Sequence, residues 1–412
     1  MPDGASRSAQ HQICCTFVTD SKPTQPLKRL RKKQHRPSLL SDGAREYVIG
    51  WQVSNPLPPW EQGTSTGSRG WRIELKRCPE LNRVRFPGLT VRRQITPFDV
   101  VIRAKNWERA QVVAYMIWAA EAVYGGASME RALGLAPMEP PIAVPRHDPE
   151  FEELPKQLGA ETVAQVRGTR RQSGDTEGAI RLAARCGLKR RWQYALLKLF
   201  ESYKGVSIAW RDTDPREYEP EAFRPSPYTV DHVSFAQAIT SAYSAIEELG
   251  LTVQPRAVRK GDTRAKFDDG SWVSDVLIDL QRRLSGANIA PDEAYYWHRR
   301  GPARLHERGK PLAVARQAKW SSGAIRDAWV WIPDALDHAR WIRNKLTGHR
   351  IDERARSLSP YEVLNVQGLA RMLLLSATRS WWAGYRPNLL SSFATQQEPA
   401  GEHETVGPRR SG

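Results

Sequence analysis

From Asp175 to Trp382 the sequence repeats its hydrophobic residues at helical spacing, and this periodicity restricts the fold more than any other feature. A stripe of that kind must be covered by another element, so the segment has to pack helix on helix. Asp175 or Thr176 caps a short helix that stops at Gly187. Trp192, Ala195, Leu196, Leu199, Phe200 and Tyr203 line a second, closed by Gly205. A third begins at Asp231 or Ser234. It carries Phe235, Ile239, Ala242, Tyr243, Ile246 and Leu249 on one face, and Gly250-Leu251 supplies a Schellman-type stop. Trp272, Val276, Leu277, Leu280 and Leu284 mark a fourth. Pro333 stands at the first position of a fifth, with Asp334 and Asp337 near its positive end. The apolar face of this fifth helix reads Ile325, Trp329, Ile332, Leu336, Ala339 and Leu346. The sixth is the best signalled. Ser359-Pro360-Tyr361-Glu362 is a capping box with Pro at N1, Leu358 and Val363 stand at the staple positions, and the face continues through Val366, Ala370, Leu373, Leu374 and Ala377. The expected fold is mostly α, with a helical bundle over residues 175–388.

The remainder differs in character. Residues 1–44 are polar, carry Pro23, Pro26 and Pro37, and include the basic positions Lys28, Arg29, Arg31, Lys32 and Lys33. They read as a disordered arm, either a solvated tail or an electrostatic contact for nucleic acid. Residues 45–133 hold short β-branched runs (Tyr47-Val48-Ile49, Trp71 to Leu75, Phe98 to Ile102) and then a helix capped by Asn106, with a stripe of Val112, Val113, Met116, Ile117 and Ala120. This is a small α+β unit. Residues 134–174 are expected to be a Pro-rich linker, and residues 389–412 a disordered tail.

Charge narrows the partners. Lys and Arg number 62 against 45 Asp and Glu, a formal net charge of +17. Such an excess favours phosphate backbones through counterion release and points to RNA. No run approaches the roughly 18 apolar residues of a membrane span, and no secretory apolar region opens the sequence, so no membrane partner and a cytoplasmic location are expected. Cys14, Cys15, Cys78 and Cys186 form neither a C-x-x-C pair nor a disulfide framework, and no metal or other cofactor is expected.

The chemistry-bearing segment is Arg340 to Arg350. Arg343 falls on the apolar side of the fifth helix, where a guanidinium needs an anionic partner. Gly348 stands where a helix ends, and it places His349 just outside the helical phase. Arg-Asn-(four residues)-His at the end of one helix, followed by a loop and a well-capped last helix, resembles the HEPN superfamily of helical-bundle proteins. Arg343, Asn344 and His349 carry that resemblance, which extends over about Lys189 to Trp382 at most. The spacing alone is not distinctive, since Arg29 with His35 and Arg300 with His306 share it. The helix end, the Asn and the Gly turn set Arg343 and His349 apart.

The resemblance implies a metal-independent endoribonuclease, in bacterial defence, toxin–antitoxin or stress systems. His349 would move a proton at the 2′-oxygen or the 5′-oxygen, Arg343 would hold the non-bridging oxygens, and Asn344 would orient the phosphate or His349. One histidine supplies half of an acid–base pair, so a homodimer is expected, with the apolar surface near Trp329 and Trp341 as the contact; an antitoxin or defence partner is left unidentified. The basic loop from Trp297 to Arg308 offers Arg299, Arg300 and Arg304 as phosphate contacts beside Lys345 and Arg350. An alternative stays open: an inactive HEPN-like module that only binds RNA or protein, in which Arg343 pairs with Glu247 or Glu248 and His349 is a surface residue.

Overall fold

The computed structural model describes residues 43–54, 65–68, 70–77, 97–125, 141–146, 170–171, 173–206, 229–259, 262–290, 292–298, 314–319, 325–347, 358, 360–381 and 389–390. The expected basic arm, including Lys28, Arg29, Arg31, Lys32 and Lys33, lies outside these residues, as does most of the expected tail.

Five strands come first in the fold: β1 (Arg45–Ser54), β2 (Ser65–Ser68), β3 (Trp71–Arg77), β4 (Pro97–Ala104) and, after the first helix, β5 (Val144–Pro145). They order as β2-β3-β4-β1-β5, and β6 (Arg170–Arg171) pairs in parallel with β1. Alternation decides the faces. Tyr47, Ile49, Trp71, Ile73, Leu75, Val100 and Ile102 are buried in the main core, whereas Glu46, Glu74, Lys76 and Arg103 share the other face. The stretch expected to be a linker therefore contributes two short strands to this sheet. It is fastened to α1 (Trp107–Gly125) as well: Gln111 donates to the Pro141 carbonyl at 2.8 Å and accepts from the Ala143 amide at 2.9 Å, and Trp107 Nε1 donates to the Ala143 carbonyl at 2.8 Å.

Asn106 caps α1, its Oδ1 accepting from the Arg109 amide at 3.2 Å. From Val113 to Val123 the helix is buried almost all round, with Tyr115 only half-buried, while Val112 is exposed rather than part of the stripe. A helix apolar on every side belongs between layers. One side of α1 faces the sheet, and the other meets α2 (Ser173–Cys186) and α3 (Arg190–Gly205). Trp118 and Phe200 pack edge to face at 4.6 Å, and Gly178 of α2 lies so close to the Tyr124 ring that a Cβ there would collide with it.

The remaining helices are α4 (Thr229–Leu249), α5 (Ser274–Gly286), α6 (Ile332–Ile342) and α7 (Pro360–Thr378). Helices α2 and α4 begin at Ser173 and Thr229, ahead of the residues expected to cap them. The stop of α4 is a Schellman turn. Gly250 has φ +74°, its amide donates to the Glu247 carbonyl at 2.9 Å, and the Leu251 amide donates to Ile246 at 3.3 Å. Leu358 and Val363 are both buried at the start of α7, as a staple requires. Arg371 of α7 donates to the Val123 and Tyr124 carbonyls at 2.8 and 2.5 Å, which satisfies the last turn of α1.

Residues 175–388, expected to form a helical bundle, also hold strands. A second sheet, order β10-β11-β9-β12, stands among the helices: β9 (Ala294–His298), β10 (Val314–Lys319), β11 (Ile325–Trp331) and β12 (Leu389–Leu390). Ile325 and Trp329, placed on the fifth helix from sequence, belong to β11. The run Ala328-Trp329-Val330-Trp331 buries alternate residues, a strand period. The first residues of the expected basic loop, Trp297 and His298, are paired in β9, and Leu389-Leu390 of the expected tail pair with the same strand. The described residues are nonetheless mostly helical, and none of their helices is long and apolar enough to cross a membrane.

Candidate functional site

Helix α6 does not simply end. At Arg343 it widens into a π turn, Arg343–Thr347, which takes five residues where the α-helix would take fewer. Two hydroxyls shape this turn: Thr347 Oγ1 donates to the Arg343 carbonyl at 2.7 Å and lies 3.3 Å from Thr240 Oγ1 on α4. Ile342 and Leu346 are buried and anchor the turn to the core. Arg343 and Asn344 are half-buried, and Lys345 is exposed.

The guanidinium of Arg343 donates from Nη1 to Asn344 Oδ1 at 2.9 Å. The carboxamide therefore orients Arg343 itself. Neither expected carboxylate forms an ion pair with it: Glu248 accepts from Lys198 of α3 at 2.7 Å, and Glu247 is an exposed residue near Tyr243. Among the described residues Arg343 has no ion pair at all. Burial pushes the Tyr243 hydroxyl far above its ordinary range, with Arg340, Glu247, Arg343 and Asp337 as its charged neighbours. Arg340, one turn before Arg343, donates to Asp337 at 3.0 Å, while its Nε is buried with no hydrogen-bond partner among the described residues. Arg340 and Arg343 thus stand near Tyr243 on the α4–α6 seam, together with the carboxylates of Asp337 and Glu247.

Of the other expected site residues, His349, Arg350, Arg299, Arg300 and Arg304 lie outside the described residues. The aromatic pair expected to form a dimer contact is engaged within the chain. Trp341 stacks on His338 at 5.6 Å with an interplanar angle of 8°, and Trp329 meets the Tyr296 ring at 5.0 Å. Among the described residues no group of three or more His, Cys, Asp and Glu side chains is placed to hold a metal ion.

Sequence reasoning missed a second cluster at the other end of α6. Asp334, expected near the positive end of the helix, is buried there. It accepts from Lys266 Nζ at 2.5 Å and from Trp272 Nε1 at 2.8 Å, and both partners of the ion pair have side chains under 5% exposed (2% and 3%). Lys266 also lies over the Trp272 ring at 4.7 Å. The only signal in the sequence was an isolated lysine followed at six residues by tryptophan, which carries no local meaning. Comparison with protein-family models, with curated proteins and with solved structures finds no match to this chain.

Proposed function

We propose that the protein acts on RNA as a metal-independent endoribonuclease of the HEPN type, with the Arg343 turn as its phosphate contact. The observation that carries this reading is the state of Arg343: half-buried, aimed by Asn344, and free of any ion pair among the described residues of a chain with a net charge of +17. A partly desolvated guanidinium left without a carboxylate favours an anionic ligand, and its planar fork matches the two non-bridging oxygens of a phosphodiester. RNA brings its own nucleophile in the 2′-OH. His349, six positions after Arg343, is the proton carrier in this scheme. The 2′-oxygen loses its proton and attacks phosphorus, the P–O5′ bond breaks, and the 5′-oxygen takes a proton, leaving a 2′,3′-cyclic phosphate and a 5′-hydroxyl. A second copy of the chain supplies the second histidine.

The test is cleavage of single-stranded RNA by the full chain in EDTA. Arg343→Ala is expected to slow cleavage at least about a hundredfold and His349→Ala to abolish it, the latter with RNA affinity nearly unchanged. His306→Ala, which shares the spacing, is expected to cut like the wild type. Activity that survives His349→Ala, or that needs a divalent ion, overturns the cleavage mechanism. RNA that is bound but left intact makes the protein a binding module.

A further inference from the structure

We infer that the two-stranded ribbon formed by β7 (Arg256–Arg259) and β8 (Asp262–Arg264) is a second contact for the RNA phosphate backbone, held in fixed relation to Arg343 by helix α6; this rests on the RNA reading above. Among the described residues the ribbon pairs with no other strand. Two strands alone are marginal in water, so its stability must come from its base. On entry, Leu251 and Val253 are buried, and Arg283 of α5 donates to the Gly250 and Thr252 carbonyls at 2.5 and 2.9 Å. On exit, Ala265 and Lys266 are buried, the Val273 amide donates to the Ala265 carbonyl at 3.0 Å, and Lys266 forms a bridge with Trp272. The Lys266–Asp334 pair then ties this base to the first turn of α6. Arg343 lies nine residues further along, about 13 Å at the rise of a helix. One rigid element therefore carries the ribbon's anchor at one end and the Arg343 turn at the other.

The chemistry of the ribbon points to an anionic ligand. Residues 256–264 contain four basic side chains and one acid. Arg256 and Arg264 stand directly opposite each other, an arrangement of like charges that weakens a sheet by itself. Arg264 is compensated: it pairs with Asp262 at 2.5 Å and faces Asp268 at 3.7 Å. Arg256 is exposed and makes no ion pair among the described residues. Ala257, Val258 and Thr263 are exposed too, so the ribbon stands in solvent and the Arg256 side chain is open to a phosphate. Such a contact positions the strand and carries no sequence preference.

The experiment measures binding of the full chain to fluorescein-labelled single-stranded RNA of mixed sequence across a KCl series. Arg256→Ala is expected to weaken binding several-fold and to lower the slope of log K against log salt by about 0.7 to 1, the loss of one phosphate contact. Arg256→Glu is expected to weaken it about tenfold or more, and Arg256→Lys to keep the wild-type slope. Wild-type binding that is steeply salt-dependent, together with unchanged affinity and slope in Arg256→Ala and Arg256→Glu, overturns the ribbon assignment and leaves the RNA reading standing. A wild-type chain that does not bind RNA overturns both.

Discussion

Glu46 on β1 gathers cations from three other segments: Lys76 on β3, Arg146 just after β5 at 3.0 Å, and Arg103 on β4 at 3.7 Å. Burial alone would raise its pKa, but the hydrogen bonds and charges of Lys76 and Arg146 outweigh that and hold the carboxyl below its ordinary range. A folded-state pKa below the unfolded one gives stability that is present above the unfolded value and is lost as pH falls through the folded value. Stability is therefore expected to decline as pH drops below the usual glutamate range. Glu46→Gln should cost about 1 kcal/mol at pH 7, since water reaches these pairs from the outer face, and should flatten part of the acid decline. Urea denaturation at neutral and acid pH measures both, and an acid profile identical to the wild type removes Glu46 as a contributor. Cys186 shows the opposite environment. It is fully buried and its thiol is pushed far up by desolvation, so it is an inert core residue.

At the scale of elements, α6 is the joint of the molecule. It follows directly on β11, its first turn closes over the Lys266 ammonium, and its last residues open into the Arg343 turn. The buried ion pair makes its start sensitive to single changes. Asp334→Ala deprives a buried ammonium of this carboxylate and is expected to destabilise the fold by about 3–5 kcal/mol. The double variant Lys266→Met/Asp334→Leu, which removes both charges and keeps the volume, is expected to regain most of that loss. Thermal and denaturant midpoints of the two variants decide the matter: a double variant no more stable than Asp334→Ala shows that packing around the pair, not charge, sets the cost.

Across the whole molecule, one hydrophobic cluster runs from Tyr47 in β1 to Leu375 in α7, through α1, α2, α3 and α4. The first sheet and the helical region are thus covered by the same core, and Arg371 reaches from α7 to the end of α1. A fragment of residues 175–388 would expose the faces of α2 and α3 that α1 covers. It is expected to lack a cooperative unfolding transition, whereas residues 45–390 should show one. A sharp calorimetric transition from the shorter fragment contradicts the shared core.

The sequence by itself determined that much of the C-terminal half is helical and marked several helix ends. Capping, staple and Schellman signals are local, because they depend on groups a few residues apart. Asn106, Gly250, Leu358 and Val363 accordingly stand where their signals place them. The tertiary structure decided what depends on neighbours distant in sequence. β11 is a strand because β9 and β10 stand on either side of it, although Ile325 and Trp329 also fit a helical face. Asp334 is buried because Lys266, 68 residues earlier, brings it a charge. Arg343 was legible as a cation on an apolar face, but its lack of a carboxylate depended on where α3 had placed Lys198, which holds Glu248. A chain records its own turns in neighbouring residues, while an ion pair or a strand partner is fixed only when the core closes and desolvates both members together.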